Sequence, residues 1–146
     1  FVSILGERYT HGHVFDFYKK LLNNPNQLEV LGNGKQKKSY LYIGDCLDAI
    51  LMSLEKATEK VNVINLGTDE YCEVFDSISW ICENLKIKPK LNYTGGERGW
   101  IGDNPFIFLD CKKIRKIGHT PKYSIKEAVI KTLEYLKNNV EILNER

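Results

Sequence analysis

Two short apolar runs constrain the fold of this chain more than any other feature of its sequence. FVSILG at 1–6 and VNVINLG at 61–67 are nearly continuous and rich in β-branched residues, and each ends in glycine. This composition is typical of strands that are buried on both faces of a parallel sheet. Because a parallel sheet needs more strands than these two, the runs indicate an α/β protein whose sheet is completed by a partner domain.

The beginning of the chain points the same way. Phe1 is the first residue, no methionine precedes it, and the apolar run starts there without a polar lead-in. A natural domain rarely begins inside a buried strand, so we expect the chain to be truncated. Its 146 residues show no repeat or linker and have the length of a single domain with its own core.

Composition excludes several classes of protein. Apolar residues make up 42% of the chain, charged residues make up 27%, and the net charge is +2, which disfavours disorder and a nucleic-acid-binding surface. No apolar run approaches the roughly 18 residues of a membrane span, and no signal peptide is visible. The cysteines lack CxxC spacing, so we interpret them as free thiols, mostly buried, of a reducing cytoplasm rather than as zinc ligands. They are Cys46, Cys72, Cys82 and Cys111.

Apolar residues recur with helical spacing in five segments. These patterns predict helices at 14–22, 45–57, 74–85, 111–117 and 125–136. Asp45 and Asp110 stand where N-cap carboxylates would accept unpaired backbone N–H groups of the second and fourth helices. Ser124 and Glu127 form an S-x-x-E capping box ahead of the last helix. Shorter apolar segments predict two further strands, at 91–94 and 106–110.

The segment from Leu28 to Asp45 has the pattern of a hairpin followed by a helix. Bulky residues alternate at 28–30 and again at 40–42, which is the period of half-buried strands. Asn33 and Gly34 lie between them, and both residue types tolerate the positive φ of a tight turn. The lysines there favour a solvated strand edge, with an anion-binding surface as the alternative. They are Lys35, Lys37 and Lys38.

Motifs for catalysis and for cofactor binding are missing from the sequence. It has no G-x-S-x-G, no G-x-G-x-x-G and no G-x-x-x-x-G-K-[ST], and no cysteine lies in an evident electropositive setting with a histidine. His11 and His13 have no third ligand at a suitable spacing, so we interpret them as loop histidines rather than a metal pair. The glycine-rich loop at 95–105 contains Arg98 and Asp103. An arginine there suits a phosphate, although a surface loop explains the same residues.

Several segments resemble one known family. GNGKQKKSYLYIGD, from Gly32 to Asp45, is similar to the G-x-G-x-Q-x-R-[DS]-[YF]-[IV]-[YH]-V-x-D segment of NAD-dependent nucleoside-diphosphate-sugar epimerases and dehydratases, which are extended short-chain dehydrogenases/reductases. FVSILGERYTHG, VNVINLGTDE, ERGWIGDNPFIFLD and IGHTPKYSIKEAV resemble other segments of these enzymes in the same order. The resemblance covers nearly all of this chain but only the second half of the family's proteins.

The resemblance implies a fold class and a domain content. Residues 1–146 would be the C-terminal substrate-binding portion of an extended short-chain dehydrogenase/reductase. That portion has two strands from the end of a Rossmann sheet plus a small α+β substrate domain. The N-terminal Rossmann domain of such enzymes binds NAD and supplies the catalytic Ser/Thr, Tyr and Lys, which this chain lacks. We therefore expect NAD in the full-length parent enzyme, and neither cofactor binding nor catalysis by this chain alone.

The resemblance also assigns residues to the nucleotide sugar. Lys38 falls where the family usually has an arginine on the diphosphate, and it keeps the positive charge without the bidentate fork. Arg98 falls near a second phosphate-binding arginine, and Asp103 matches an aspartate near the nucleotide ribose. Glu29 and Leu31 lie where backbone groups of a strand meet the uracil base.

Further positions follow from the same resemblance. Val74 matches an apolar position against the base, and His13 and Val14 match a nucleotide-side pair that is often Asn-Leu. Ser3 replaces an asparagine that touches the sugar diphosphate. Ile107 falls where some relatives place a tyrosine.

The implied function is binding of a UDP-sugar or a related nucleotide sugar, within a parent enzyme of the sugar-nucleotide 4-epimerase type. Such an enzyme transfers a hydride from sugar C4 to NAD and returns it to the other face. A fragment of a dehydratase or reductase of another sugar nucleotide is an alternative within the family. From a different class, a stand-alone binding module would self-associate through FVSILG or VNVINLG, because exposed strand edges invite pairing.

Overall fold

The computed structural model describes residues 1–99, 102 and 106–144. Helices and short strands alternate along the chain. The strands are β1 (Ser3–Leu5), β2 (Gln27–Val30), β3 (Lys37–Lys38), β4 (Tyr40–Tyr42), β5 (Cys72–Glu73) and β6 (Lys90–Tyr93). The helices are α1 (His13–Asn23), α2 (Ile43–Lys56), α3 (Val74–Leu85), α4 (Lys112–Lys116) and α5 (Ile125–Asn138), and a 3₁₀ turn follows at Val140–Asn144.

The strands pair in three two-stranded sheets. β1 pairs with β4 in parallel, and β2 pairs with β6 in parallel, so both pairs join segments that are far apart in the chain. β3 and β5 form a short antiparallel pair. Parallel strand pairs alternating with helices place the chain in the predicted α/β class.

The predicted hairpin is wrong, because β2 and β4 belong to different sheets. Of the two residues of the predicted turn, Gly34 has a positive φ angle, 77°, and Asn33 does not; the other positive φ angle in this loop is that of Gly32, 81°. The loop that contains these glycines does not join two paired strands. The carbonyl of Gly34 accepts the Phe75 N–H at 2.9 Å, and that of Gln36 accepts the Val74 N–H at 3.1 Å, so the loop supports the start of α3.

Two further predicted strands are absent from the described residues, at 61–67 and at 106–110. A strand needs a neighbour that satisfies its backbone groups. Within the described residues the first segment pairs with no strand, and one backbone hydrogen bond, from the Val2 N–H to the Leu66 carbonyl at 3.1 Å, joins it to the start of the chain. In the second segment Phe106 and Phe108 stack on each other instead, with ring centroids 5.8 Å apart.

The helices follow the sequence pattern more closely. α1, α3 and α5 cover the predicted segments, and the capping box of α5 is formed: the Glu127 N–H donates to Ser124 Oγ at 3.2 Å, and the Ser124 N–H donates to Glu127 Oε2 at 2.8 Å. α2 begins two residues before Asp45, so the predicted N-cap is wrong. The buried Asp45 carboxylate accepts the Tyr123 N–H at 3.1 Å and thereby ties α2 to the start of α5.

Buried side chains form two core clusters. The larger cluster lies between α1, α3 and α5 and includes Leu28 and Val30 of β2. The smaller cluster joins α2, α4 and the segment at 61–67, and it consists of Val2, Leu41, Cys46, Ala49, Leu66, Cys111 and Ile114. All four cysteines are free, and three of them are buried. The pair β1–β4 contributes to both clusters, since Leu5 and Tyr40 belong to the first and Leu41 to the second.

The apolar stripe of α2 faces away from both clusters. Leu47, Leu51 and Leu54 are 52%, 59% and 73% exposed. The helical pattern was therefore sufficient to predict α2. The described part of the chain does not cover the apolar side of this helix. None of the helices described is both long and apolar enough to cross a membrane.

Candidate functional site

A cleft of about 820 Å³ runs along one side of α1. Its other walls come from the first residues of the chain through β1, from the loop before β3, from β3–β4 and from the start of α3. Binding sites for small molecules commonly have volumes of roughly 300–1,000 Å³. The cleft is therefore large enough for a ligand of the size of a nucleotide.

Helix α1 presents one face to the cleft. His13, Asp16, Phe17, Lys20 and Asn23 line it, and their positions have the i, i+3, i+4, i+7, i+10 spacing of one helix face. The face is mixed, with a histidine near the start, a carboxylate one turn later and a lysine and an amide towards the end. This order places different hydrogen-bonding groups at different depths along the cleft.

His13 is held rigidly at the start of that face. Its ring stacks on Tyr40 with centroids 4.8 Å apart, and its Nε2 lies 2.7 Å from Ser77 Oγ. Burial and the nearby charge of Lys38 lower the pKa of His13 to about 3. The imidazole is therefore neutral at physiological pH, and it contributes hydrogen bonding and a flat surface rather than charge.

The structure separates the three lysines of the 35–38 segment. Lys38 lines the cleft, whereas the Lys37 ammonium lies 4.8 Å from the centre of the Tyr71 ring on the outer surface. Lys35 is exposed. Among the described lining residues, three lysines face a single carboxylate, so the cleft suits an anionic ligand. The other two lysines are Lys19 and Lys20, on α1.

Six of the positions placed by resemblance line this cleft. Five of them were assigned to the nucleotide sugar, namely Ser3, His13, Leu31, Lys38 and Val74, and the sixth is Ile107.

The remaining assigned residues lie elsewhere. Val14 is fully buried in the larger core cluster, so its side chain is not available to a ligand. Glu29 points to Lys20 rather than lining the cleft, and Arg98 is exposed outside it, next to the lining residue Gly99. Asp103 is outside the described residues.

Sequence reasoning missed several residues of the cleft. Asp16, Lys20 and Asn23 could have been found from the polar positions that recur with helical spacing opposite the apolar face of α1. Gln36 matches the glutamine of the family segment, but the resemblance gave it no role. Its amide nitrogen donates to the Leu31 carbonyl at 3.0 Å and thereby holds the loop that forms one wall.

The described residues do not form an NAD site of the Rossmann type. The sequence has no glycine-rich dinucleotide fingerprint, and the described strands form only two-stranded sheets. Within the described residues, no three His, Cys, Asp or Glu side chains are grouped so that they could hold a metal ion. The arrangement at the cleft is suited to binding and orienting an anionic ligand.

Comparison with known proteins gives consistent matches. Residues 3–67 match the family model described as NAD dependent epimerase/dehydratase family. A Methanocaldococcus jannaschii protein provisionally named UDP-glucose 4-epimerase is 27% identical over 141 residues, which are 94% of this chain and 44% of that protein. The trifunctional UDP-glucose 4,6-dehydratase/epimerase/reductase RHM1 of Arabidopsis thaliana is 30% identical over 118 residues, which are 78% of this chain and 17% of that protein.

Solved structures show the same fold. A crystal structure of UDP-galactose 4-epimerase superposes with a TM-score of 0.80 at 33% identity, covering 95% of this chain and 44% of the other. UDP-glucose 4-epimerase of Thermotoga maritima, solved with UDP-glucose, superposes with a TM-score of 0.78 at 23% identity, covering 95% and 45%. The chain thus spans less than half the length of these proteins.

Proposed function

Because the chain has the fold of part of an NAD-dependent sugar epimerase or dehydratase, an extended short-chain dehydrogenase/reductase, we propose that its cleft binds a nucleotide sugar by the nucleoside-diphosphate end. The ligand we expect is a UDP-sugar. The names of the most similar relatives and solved structures, which refer to UDP-glucose and UDP-galactose, support this choice.

One observation carries the proposal. Ser3, His13, Leu31, Lys38 and Val74 come from segments up to 71 positions apart, yet all of them line one cleft. Each was assigned to the nucleotide sugar by its position in the sequence alone. Their convergence on a cleft with an excess of lysines is what a diphosphate site requires.

The role proposed for this chain is substrate binding rather than chemistry. In a parent enzyme of the UDP-glucose 4-epimerase type, a Rossmann domain outside this chain would hold NAD and the catalytic side chains. Binding energy from the non-reacting nucleotide end would then position the sugar for reaction. We expect the purified chain to bind UDP-glucose without converting it, and measurable epimerisation by the chain would contradict this division of roles.

Lys38→Ala tests the proposed diphosphate contact. Loss of a charge-assisted hydrogen bond should weaken UDP-glucose binding about tenfold, as measured by isothermal titration calorimetry. Lys35→Ala removes an equal charge from the exposed part of the same segment and should leave the affinity unchanged. Equal effects of the two substitutions would indicate a merely basic surface and contradict the proposal.

A dehydratase or reductase parent is the second candidate. It is favoured by the match to RHM1 and by the 25% identity over 141 residues to dTDP-D-glucose 4,6-dehydratase of Mus musculus. The name of RHM1 refers to UDP-glucose, as the names of the epimerases do, whereas the name of the mouse protein refers to dTDP-glucose. In a titration with UDP-, dTDP-, GDP- and ADP-sugars, a preference for dTDP-glucose over UDP-glucose would therefore favour a dehydratase parent of the second kind.

A self-associating binding module remains the candidate from another class. The exposed stripe of α2 and the extended segment at 61–67, where Val61 and Val63 are 76% and 78% exposed, are the surfaces that favour it. In that case the chain should form concentration-dependent oligomers. Light scattering at increasing protein concentration tests this, and a strict monomer that binds UDP-glucose would favour the epimerase fragment.

A further inference from the structure

The segment at 106–108 contributes to the cleft without belonging to a sheet. Ile107 lines the cleft, whereas Phe106 and Phe108 do not line it and pack on each other. This alternation is that of an extended segment, in which successive side chains point to opposite sides. Within the described residues, no backbone hydrogen bond joins the segment to a strand. The position of Ile107 therefore depends on what the two phenylalanines contact.

Tyr71 provides that contact from outside the cleft. Its ring meets the ring of Phe106 edge-on with centroids 5.3 Å apart, and it meets the ring of Phe108 at 6.4 Å. The ammonium of Lys37 packs on the same tyrosine, 4.8 Å from the ring centroid. Ring pairs at these separations stabilise a contact beyond the area that they bury, and a lysine over a tyrosine ring adds to it. We call Tyr71, Phe106 and Phe108 the aromatic clasp.

The backbone on both sides of Tyr71 is fixed to the walls of the cleft. On one side, the Glu70 carbonyl accepts a hydrogen bond from the buried Ser39 hydroxyl at 3.2 Å. On the other side, Cys72 pairs with Lys38 between β5 and β3. Ser39 and Lys38 both line the cleft. The aromatic clasp therefore connects the wall formed by β3–β4 to the segment at 106–108.

We propose that Tyr71 is a positioning residue of the cleft, which holds Ile107 in the wall through Phe106 and Phe108 and thereby slows the dissociation of a bound ligand. An apolar side chain held in the wall excludes water from the ligand, whereas a released segment would leave that side of the cleft open to solvent. The inference rests on the proposed nucleotide-sugar function. It adds residues outside the cleft on which retention of the ligand depends.

Chymotrypsin tests the aromatic clasp in the absence of a ligand, because it cleaves after aromatic residues in segments that open locally. Tyr71→Ala should raise the rate of cleavage after Phe106 and Phe108 about tenfold, as followed by mass spectrometry. Tyr71→Phe keeps the ring and should be cleaved like the unsubstituted chain. Phe75→Ala is the matched control. Phe75 is 49% exposed against 50% for Tyr71, and its ring stacks on no other ring within the described residues.

Cleavage within α1 reports on unfolding of the larger core cluster and should not change in Tyr71→Ala. If that variant failed to fold, Phe108→Leu would replace it, because it removes one ring of the clasp and should likewise speed cleavage after Phe106. Cleavage after Phe106 at the unsubstituted rate in these variants would overturn the aromatic clasp.

The effect on the ligand is measured by surface plasmon resonance with UDP-glucose. Tyr71→Ala should raise the dissociation rate constant about tenfold and leave the association rate constant nearly unchanged, whereas Tyr71→Phe should match the unsubstituted chain. Ile107→Ala removes the side chain that the clasp positions. If Tyr71 acts through Ile107, adding Tyr71→Ala to Ile107→Ala should raise the dissociation rate constant no further, and fully additive effects would overturn the positioning role.

The two measurements separate this inference from the proposed function. Faster cleavage with an unchanged dissociation rate constant would overturn the role of the clasp in retention and leave nucleotide-sugar binding standing. Failure of the unsubstituted chain to bind UDP-glucose would overturn the proposed function, and the role in retention with it.

Discussion

His119 is a buried side chain whose hydrogen bonds are not satisfied. It is 5% exposed, and neither ring nitrogen has a hydrogen-bond partner within the described residues. Burial and the charge of Arg115 lower its pKa, and the opposing influence of Asp45 and Asp48 does not compensate. A buried polar group without a partner costs roughly 1–3 kcal/mol. The chain therefore keeps a neutral imidazole at a position where an apolar ring would be more stable.

His119→Phe should raise the free energy of unfolding by about 1 kcal/mol at pH 8, and by more at pH 5. The reason for the pH dependence is that a histidine with a lowered pKa in the folded state binds protons preferentially when unfolded. His119 therefore destabilises the unsubstituted chain further as the pH falls below the unfolded pKa of about 6.5. This destabilisation grows until His119 also titrates in the folded chain. Urea unfolding at the two pH values measures the difference.

His11→Phe is the control, because His11 is exposed. Some acid destabilisation should persist in His119→Phe, since the pKa of His13 is also lowered, to about 3. If His119→Phe and the unsubstituted chain lost stability in parallel between pH 8 and pH 5, the neutral buried state of His119 would be refuted.

Gly34 combines a backbone requirement with a close contact. Its φ angle of 77° lies in the left-handed region, and a Cβ atom there would come within 2.6 Å of Tyr93 Cε1. Gly96 has a similar φ of 84° but open space around it. Alanine at Gly96 should cost about 1–2 kcal/mol through the backbone alone, and alanine at Gly34 should cost more. The difference in stability between the two variants, measured by thermal unfolding, gives the cost of the contact with Tyr93. Equal losses of stability would show that Tyr93 simply moves aside.

At the scale of elements, the capping box of α5 gives a direct prediction. Ser124→Ala removes the oxygen that accepts the Glu127 N–H and should destabilise the chain by about 1 kcal/mol. Ser79→Ala replaces an exposed serine inside α3 and should change stability by only a few tenths, in the stabilising direction. Chemical denaturation compares the two, and a Ser124 effect no larger than the Ser79 effect would contradict the role of the cap.

Helices were predictable from the sequence because their signals are local. The apolar spacing of α3 and the Ser124–Glu127 pair of α5 depend on residues within a few positions of each other. Strand pairing is not local. The Asn33–Gly34 turn signal suggested that 28–30 and 40–42 pair with each other, whereas their partners are β6 and β1, about 60 and 40 positions away.

The candidate site was predictable only in part, for a similar reason. Motif spacing located Lys38 and His13, whose neighbours in sequence carry the resemblance. Lys20 lies in a segment without a motif, and its ion-pair partner Glu29 reaches it from β2. A sequence pattern does not reveal which strand lies beside which helix.

At the scale of the whole molecule, the exposed apolar stripe of α2 should affect the association of the chain with a partner and not the stability of its fold. Replacing Leu51 and Leu54 together by glutamine should leave the free energy of unfolding nearly unchanged, because these side chains are already 59% and 73% exposed. Leu133→Ala, at a fully buried position, should cost about 2–5 kcal/mol. If the double variant were as destabilised as Leu133→Ala, the stripe would have to be covered in the folded chain.

The division of the core into two clusters has a consequence for local unfolding of the chain. The larger cluster contains eighteen buried residues and carries α1 with most of the cleft, whereas the smaller contains seven and holds α2 and α4. Local openings cost least where little apolar surface is buried. Amide hydrogens of α2 and α4 should therefore exchange with solvent at a lower free energy than those of α5. A nucleotide bound in the cleft should slow exchange mainly on the side of the β1–β4 pair that holds the larger cluster.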